Sequence, residues 1–517
     1  MTVVVGADLG TSGLKLAALD LDGAVVAEAE VGYPVDRPQP GWAETDVAVW
    51  RGAVDDGLAA LAGQLGDRPV AALGFSGQMH GAVLVDATGT ALAPAMLWPD
   101  QRAAGELDRW RGLPAADRAA LANPLAAGMT GPLLAWLVAH RPQLLDRAAA
   151  VLLPKDAVRA TLLPGTDPAV TDRSDASATL LWDVPADRWS AAAAGAAGVD
   201  PALLPAILPA DTVVGTAELP LGEVPVVVGG ADTPLALLAT GTAGVQVNLG
   251  SGAQLLQAGA RPAPAAAPVV HCYADTGDGW YAMAALQNAG TAWAWVQQVL
   301  GLDWAGFAGS LTGSAPGAGG VVFAPFLTGE RGGVAGPGAR GSWTGLSADT
   351  TRADLARAAL EGVACAVAAA MDLLGPATDE LVVLTGERGG VADPGARGSW
   401  TGLSADTTRA DLARAALEGV ACAVAAALDL LGPAADEPVV LTGGGARERA
   451  VQQLLADVLG RPVQHVQVRS ASAAGAAVLA ARGVGRQLVP QRAVDPVVEP
   501  GDHAAAAAVR ERWQGTA

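Results

Sequence analysis

The chain has 517 residues, 51% of them apolar and 16% charged, and 52 acidic against 32 basic side chains leave a formal charge of −20. That length suits two or three domains around a large core, and the composition is that of a globular protein, not a disordered one. The acidic balance argues against nucleic acid or an anionic membrane as partner, since both need a basic footprint; one nucleotide held by backbone N–H groups and a metal ion stays allowed.

The opening MTVVVGADLG carries Asp8 and no basic leader, so no secretory signal is expected and the cytoplasm is the expected location. Val3–Asp8 reads as a buried strand, followed by the turn LGTSG, a second run Leu14–Leu19, the hairpin pair Asp22-Gly23 and a third segment AVVAEAEV. Val70–Phe75 is a further strand ending at SGQMHG, and Ala82–Val85 follows with its own Asp86/Gly89 turn. Ala104–Arg111 and Pro132–His140 carry helical patterns. Pro225–Val228 is an apolar strand ending in Gly229, Gly230 and Asp232, and VNLGSGAQL repeats the strand–glycine turn–strand unit of the start. The mixture predicts an α/β protein of two similar domains, 1–242 and 243–517. The most apolar helical stretch, Ala358–Leu374, is interrupted by Glu361 and Asp372 and is too short to span a bilayer.

Three cysteines, Cys272, Cys365 and Cys422, show no CxxC spacing and read as buried, reduced thiols. Lys15 and Lys155 are the only lysines in an arginine-rich chain. Each is retained either by chance or because its role needs a compact point charge that arginine cannot supply. Residues 327–383 and 384–440 are tandem copies offset by 57 residues that differ only at Gly336/Asp393, Met371/Leu428, Thr378/Ala435 and Leu381/Pro438. Two near-identical copies read as a recent duplication, or an artefact of the recorded sequence, not as a solenoid. Each carries one amphipathic helix, near Ala353–Leu374 or Ala410–Leu431, for one slot in the core. The second copy is expected to fill it, because its strand Pro438–Leu441 runs straight into LTGGGAR.

The chemistry concentrates at glycine turns. In DLGTSG an acid, Asp8, ends a strand beside Gly10, Thr11 and Ser12, where small residues let N–H groups reach phosphate oxygens and the carboxylate can serve Mg²⁺. Gly250-Ser251-Gly252 repeats that logic, and Gly443-Gly444-Gly445 with Arg447 forms a third cluster after the strand EPVVLTG. Neither GxxxxGK[ST] nor a GxGxxG after a strand is present, so P-loop and Rossmann readings lose support. Three clusters in two halves suggest a nucleotide held between two lobes.

DLGTSGLK, GFSGQMHG, LWPDQRA, LLPKD, TDRSDAS, GGAD, LTGER, ARGSWTGL and LTGGGAR, in this order, resemble the FGGY carbohydrate kinases over nearly the whole chain. The resemblance implies two ribonuclease-H-like domains of the actin/hexokinase type closing on a sugar and MgATP, with D-xylulose as first expected acceptor. It implies Asp232 as general base, and Gln78, Met79, His80 and Asp100 at the sugar. Asp8 would serve magnesium, with Gly10, Thr11, Ser12, Lys15 and Gly250–Gly252 at the phosphates and Gly443–Gly445 with Arg447 near adenosine. A homodimer stays allowed. Asp232 as a helix N-cap, His80 as a core histidine, and Trp42, Trp50 and Trp98 as core packing are the structural alternatives, and Asp172 and Asp175 read as turn or cap residues. Leu133 and the GSGAQ loop depart from the family pattern and imply altered affinity. The rival functions are a sibling kinase for another ketopentose, hexulose or polyol, and an actin-like sugar-binding protein impaired by the repeat.

Overall fold

The computed structural model describes residues 1–242, 244–265, 267–313, 317–330, 334–336, 338–347, 350–373, 438–459 and 462–501. Its first half opens with β1 (Val3–Leu9), β2 (Gly13–Asp20) and β3 (Val25–Gly32), an antiparallel meander in which Leu9 faces Leu14. The Asp20 carboxylate accepts from the Asp22 and Ala24 amides at 3.0 and 2.9 Å and so closes the turn that the Asp-Gly pair predicts. Helix α1 (Val47–Leu65) starts at an Asp46 cap, and β4 (Val70–Gly77) returns parallel to β1, with Asp8 opposite Ser76 and Leu9 opposite Gly77. Helices α2 (Pro154–Leu162) and α3 (Arg173–Ser177) follow, then β5 (Val213–Leu219), β6 (Gly222–Val227), the short β7 (Gly230–Ala231) and α4 (Asp232–Thr240). The sheet runs β5-β6-β4-β1-β2-β3, and β7 pairs with β4 so that Gly230 meets Ser76 and Ala231 meets Gly77.

The second sheet is built from β8 (Val245–Leu249), β9 (Ala253–Ala258), β10 (His271–Ala274), β11 (Trp280–Leu286), β12 (Val439–Thr442), β13 (Val463–Gln467) and β14 (Ala493–Val494), in the order β10-β11-β9-β8-β12-β13-β14. It repeats the plan of the first: β8 and β9 form an antiparallel pair around a glycine turn, and β12 runs parallel to β8 with Asn248 opposite Thr442. Helices α5 (Gly290–Leu300) and α6 (Arg352–Asp372) cover it, burying Trp293, Val296, Leu360 and Val363 in one core with Phe323.

The helix in that core comes from the first repeat copy, which corrects the expectation that the second copy docks. Helix α6 follows directly on the hairpin Val322–Ala324/Ser342–Thr344 against which it packs: a Cβ on Gly362 would lie 2.0 Å from the Phe323 carbonyl oxygen, and Trp343 Nε1 donates to the Leu355 carbonyl at 3.3 Å. Closing this short connection costs less chain entropy than bringing in a helix 57 residues further on. The second copy contributes Val439 and Val440, the start of β12; its helix near 410–431 lies outside the described residues.

Helix α7 (Ala471–Gly483) departs from the 1–242/243–517 division. It packs on the first sheet, against β1, β4 and α4, and Ala473–Ala481 is buried throughout. Glycines permit the approach: a Cβ on Gly6 would lie 1.8 Å from the Ala473 carbonyl oxygen, and one on Gly475 2.1 Å from that of Leu235. A helix apolar on every side is one buried on every side. Cys272 is a buried free thiol; the Cys365 side chain and Cys422 lie outside the described residues. No helix among the described residues is long and apolar enough to cross a membrane.

Candidate active site

A cavity of about 540 Å³ lies between the two sheets, with walls from both. The first half contributes Thr11, Gln78, Met79, His80, Trp98, Asp232 and Thr233; the second contributes Asn248, Gly250, Ser251, Gly252, Gln254, Met283, Gln287, Thr291 and Thr328. Register explains the convergence. Asp8, Ser76 and Gly230 stand in one row across β1, β4 and β7, so the loops beginning at Gly10, Gln78 and Asp232 leave the sheet side by side at the C-terminal ends of parallel strands. Ligands of open α/β sheets bind at that edge.

Asp8 accepts from Ser76 Oγ at 2.8 Å, and burial outweighs this bond and the Lys15 charge to raise its carboxyl above the usual carboxylate range. Asp232 begins α4 and accepts from Thr233 Oγ1 at 3.1 Å; burial, reinforced by the Asp8 charge, pushes its pKa up to about 7. A cavity carboxylate raised to about 7 beside a second, buried carboxylate raised in the same direction is the arrangement expected where a proton is moved.

The neighbouring turn is held tightly. His80 has φ +66° and donates from Nδ1 to the Ala178 carbonyl at 2.5 Å, while the Tyr281 hydroxyl contacts Met79 Sδ at 3.8 Å. Gln78 Nε2 and the Tyr33 hydroxyl both donate to the Gly10 carbonyl, at 3.2 and 2.6 Å, and Trp98 Nε1 donates to Thr11 Oγ1 at 2.8 Å. On the opposite wall a Cβ on Gly252 would lie 2.3 Å from the Leu286 carbonyl oxygen, so only glycine fits that turn. Gly443–Gly445 follow β12, parallel neighbour of β8, so this loop and Arg447 emerge beside the Gly250–Gly252 turn, outside the cavity walls.

Asp8, Gly10 and Ser12 are not themselves among the cavity-lining residues, and Asp100 and Lys15 lie elsewhere. Asp100 is fully buried and spent on structure: its carboxylate accepts from the Ala43 amide at 2.7 Å and from Arg102 Nη2 at 2.7 Å, and Arg102 lies over the Trp42 ring. Lys15 stands opposite Asp8 across the β1–β2 ladder but is half exposed, 3.7 Å from Glu30, and is not on the cavity wall. Of the tryptophans, Trp98 lines the cavity and Trp50 is core. Asp172 caps α3, as its turn or cap reading proposed. Sequence reasoning missed Thr233, Asn248, Gln254, Met283, Gln287, Thr291 and Thr328. Thr233, Asn248 and Gln254 adjoin recognised turns and Thr328 lies in LTGER; Met283, Gln287 and Thr291 carry no local signal.

Asp8 is a hard oxygen donor, and among the described residues no group of three or more His, Cys, Asp or Glu forms a closed metal cage. That donor fits Mg²⁺, which takes one or two carboxylates and completes its shell with phosphate and water.

Two similar α/β domains of the actin-like ATPase type, with a cleft between them lined by glycine turns and the raised carboxylate of Asp232, define the class of phosphoryl-transferring enzymes. The model of the FGGY family of carbohydrate kinases, N-terminal domain, matches residues 3–239, and that of the C-terminal domain matches 245–384 and 381–484. The chain is 33% identical over 390 residues to a xylulose kinase of Escherichia coli (strain K12), covering 72% of this chain and 78% of the relative. It is 30% identical over 510 residues to a glycerol kinase of Aromatoleum aromaticum, covering 94% and 90%. The crystal structure of a xylulose kinase from Rhodospirillum rubrum superposes with a TM-score of 0.77 at 25% identity, covering 99% of this chain and 97% of that one. The chain belongs to the FGGY family of carbohydrate kinases and is an ATP-dependent sugar kinase.

Proposed function

We propose that the chain transfers the γ-phosphoryl group of ATP to D-xylulose, giving D-xylulose 5-phosphate and ADP. The observation that carries the chemistry is Asp232, a carboxylate on a wall of the cavity shared by both sheets and held near neutral pH by burial and the Asp8 charge. Asp232 accepts the proton of the sugar hydroxyl as its oxygen attacks the γ-phosphorus, and the bond to the ADP oxygen breaks in line. Gln78, Met79 and His80 orient the sugar. Thr11 and Ser12 from one side and Gly250–Gly252 from the other hold the phosphates with N–H and hydroxyl donors, and Gly443–Gly445 with Arg447 flank the adenosine. Asp8 would hold Mg²⁺, which supplies charge neutralisation on the phosphates when bound.

The named xylulose kinases among the relatives support the ketopentose. The glycerol kinase relative, matching over 94% of the chain, favours a polyol as the second reading. A coupled ADP-release assay over ketopentoses, hexuloses and polyols separates them: D-xylulose should give the highest kcat/KM, and a polyol ahead of it overturns the substrate assignment. In the same assay Asp232→Asn should lower turnover at least about 100-fold while sugar binding survives, the usual cost of removing a positioned base. Near-normal turnover would make Asp232 a structural residue. The wild-type kcat/KM should fall as pH drops below about 7, because the base must be ionised to accept the proton.

A further inference from the structure

Behind the loop that carries Asp232 lies a buried charge cluster that this reaction leaves unused. Lys155 Nζ is 2.8 Å from Asp156 Oδ1, 3.1 Å from Asp175 Oδ2 and 3.2 Å from Asp172 Oδ1, and none of these side chains is more than 1% exposed. Arg159 joins them, with Nη1 at 2.6 Å from Asp156 Oδ1.

Two paths lead from the cluster to the base. Asp172 Oδ2 accepts from the Ser174 amide at 2.8 Å and hydroxyl at 2.5 Å, and Ser174 Oγ accepts from the Ala231 amide at 3.0 Å, one residue before Asp232. Arg159 donates from Nη1 to the Val228 carbonyl and from Nη2 to the Val170 carbonyl, both at 2.6 Å. Both ends of the turn Val228–Ala231 are thus gripped. Its middle is fixed as well: Gly229 has φ +83°, and a Cβ there would lie 2.2 Å from the Phe75 carbonyl oxygen. The backbone of Lys155 also abuts the strand that leads into Gln78, Met79 and His80, since a Cβ on Gly77 would lie 2.7 Å from Lys155 Cβ.

Buried ion networks gain little stability over an apolar core of equal volume; their best-attested use is to fix one geometry. The retained lysine agrees with this reading. One ammonium serves three carboxylates at 2.8–3.2 Å, which a planar guanidinium cannot match, and Lys155 is one of two lysines in an arginine-rich chain. We propose that this cluster sets the position of the Asp232 carboxylate, Ser174 and Arg159 acting as its two arms and Lys155 and Asp172 as their anchor. All four are positioning residues for phosphoryl transfer, an inference that rests on Asp232 being the base.

The test compares Ser174→Ala, Ser177→Ala and Asp232→Asn in steady-state kinetics at 25 °C, with thermal melts alongside. Ser177 is the control, a buried serine of the same helix whose Oγ accepts from the Ala274 amide and so leads away from the base loop. Ser174→Ala should lower kcat about 10-fold, with the sugar KM changed less than about twofold, since sub-ångström misplacement costs rate before binding. It should also displace the acid limb of kcat/KM, and Ser177→Ala should lower the melting temperature with kcat intact. Equal kcat losses in both serine variants, or a Ser174→Ala variant that loses only melting temperature, overturn the proposal. If Asp232→Asn is inactive while Ser174→Ala matches wild type, the positioning role fails and the base stands; if Asp232→Asn is fully active, the base assignment itself fails. Should Ser174→Ala not fold, Ser174→Cys keeps the volume with a weak acceptor and is read by the same kcat-against-KM split.

Discussion

Asp175 sits at the heart of the buried cluster, where loss of hydration, together with Asp172 and Asp156, holds its carboxyl well above the usual carboxylate range despite Lys155. A carboxyl raised on folding contributes stability that is present at low pH and lost as pH rises through its folded pKa. Asp175→Asn removes the ionisation, so its melting temperature should gain on that of wild type as pH rises, as thermal melts across pH would show. Asp232 follows the same sign between its unfolded value of 3.8 and about 7, so Asp232→Asn should melt higher than wild type at pH 8 and not at pH 3. The placement of Asp8 and Asp232 was legible because each acid follows an apolar run and adjoins glycines; their roles rest on the proposed reaction. Asp100 was misread because motif membership gives a neighbourhood and not a direction: its carboxylate turns inward to Arg102.

At the scale of elements, strand–turn–strand units were readable because β-branched runs and Asp-Gly or glycine turns are local signals. The partner of α7 was not, because a helix without a polar face gives no indication of which core receives it. Its glycine contacts carry a prediction. Gly475→Ala drives a Cβ into the Leu235 carbonyl oxygen, backbone that cannot yield, and should cost at least about 2 kcal/mol in denaturant unfolding. Turnover should fall too, because Leu235 lies on α4, whose first residue is Asp232.

The molecule as a whole works by joining two walls of one cavity. D-xylulose with a non-hydrolysable ATP analogue should therefore raise the melting temperature by more than the sum of the separate shifts, as measured by calorimetry. The repeat acts at this scale as well. Sixty-six residues separate Asp372, the end of α6, from Val439, the start of β12, and removing one 57-residue copy leaves nine. Shortening that closure favours folding by about 2 kcal/mol on chain entropy alone, and nine residues is an ordinary connection length. The 460-residue chain should be at least as active and melt higher; loss of activity would make the second copy an integral part of the fold.

Helix α7 bears on the order in which a ribosome delivers the parts. The first sheet is complete in sequence by Ala231, yet the helix that seals one of its faces ends at Gly483. At 5–20 residues per second the emerging half waits roughly 10–50 s with its apolar surface around Val4, Ala72 and Leu235 uncovered. Domain-by-domain maturation from the N-terminus is closed to this enzyme; a helix made about 240 residues later finishes the first domain made.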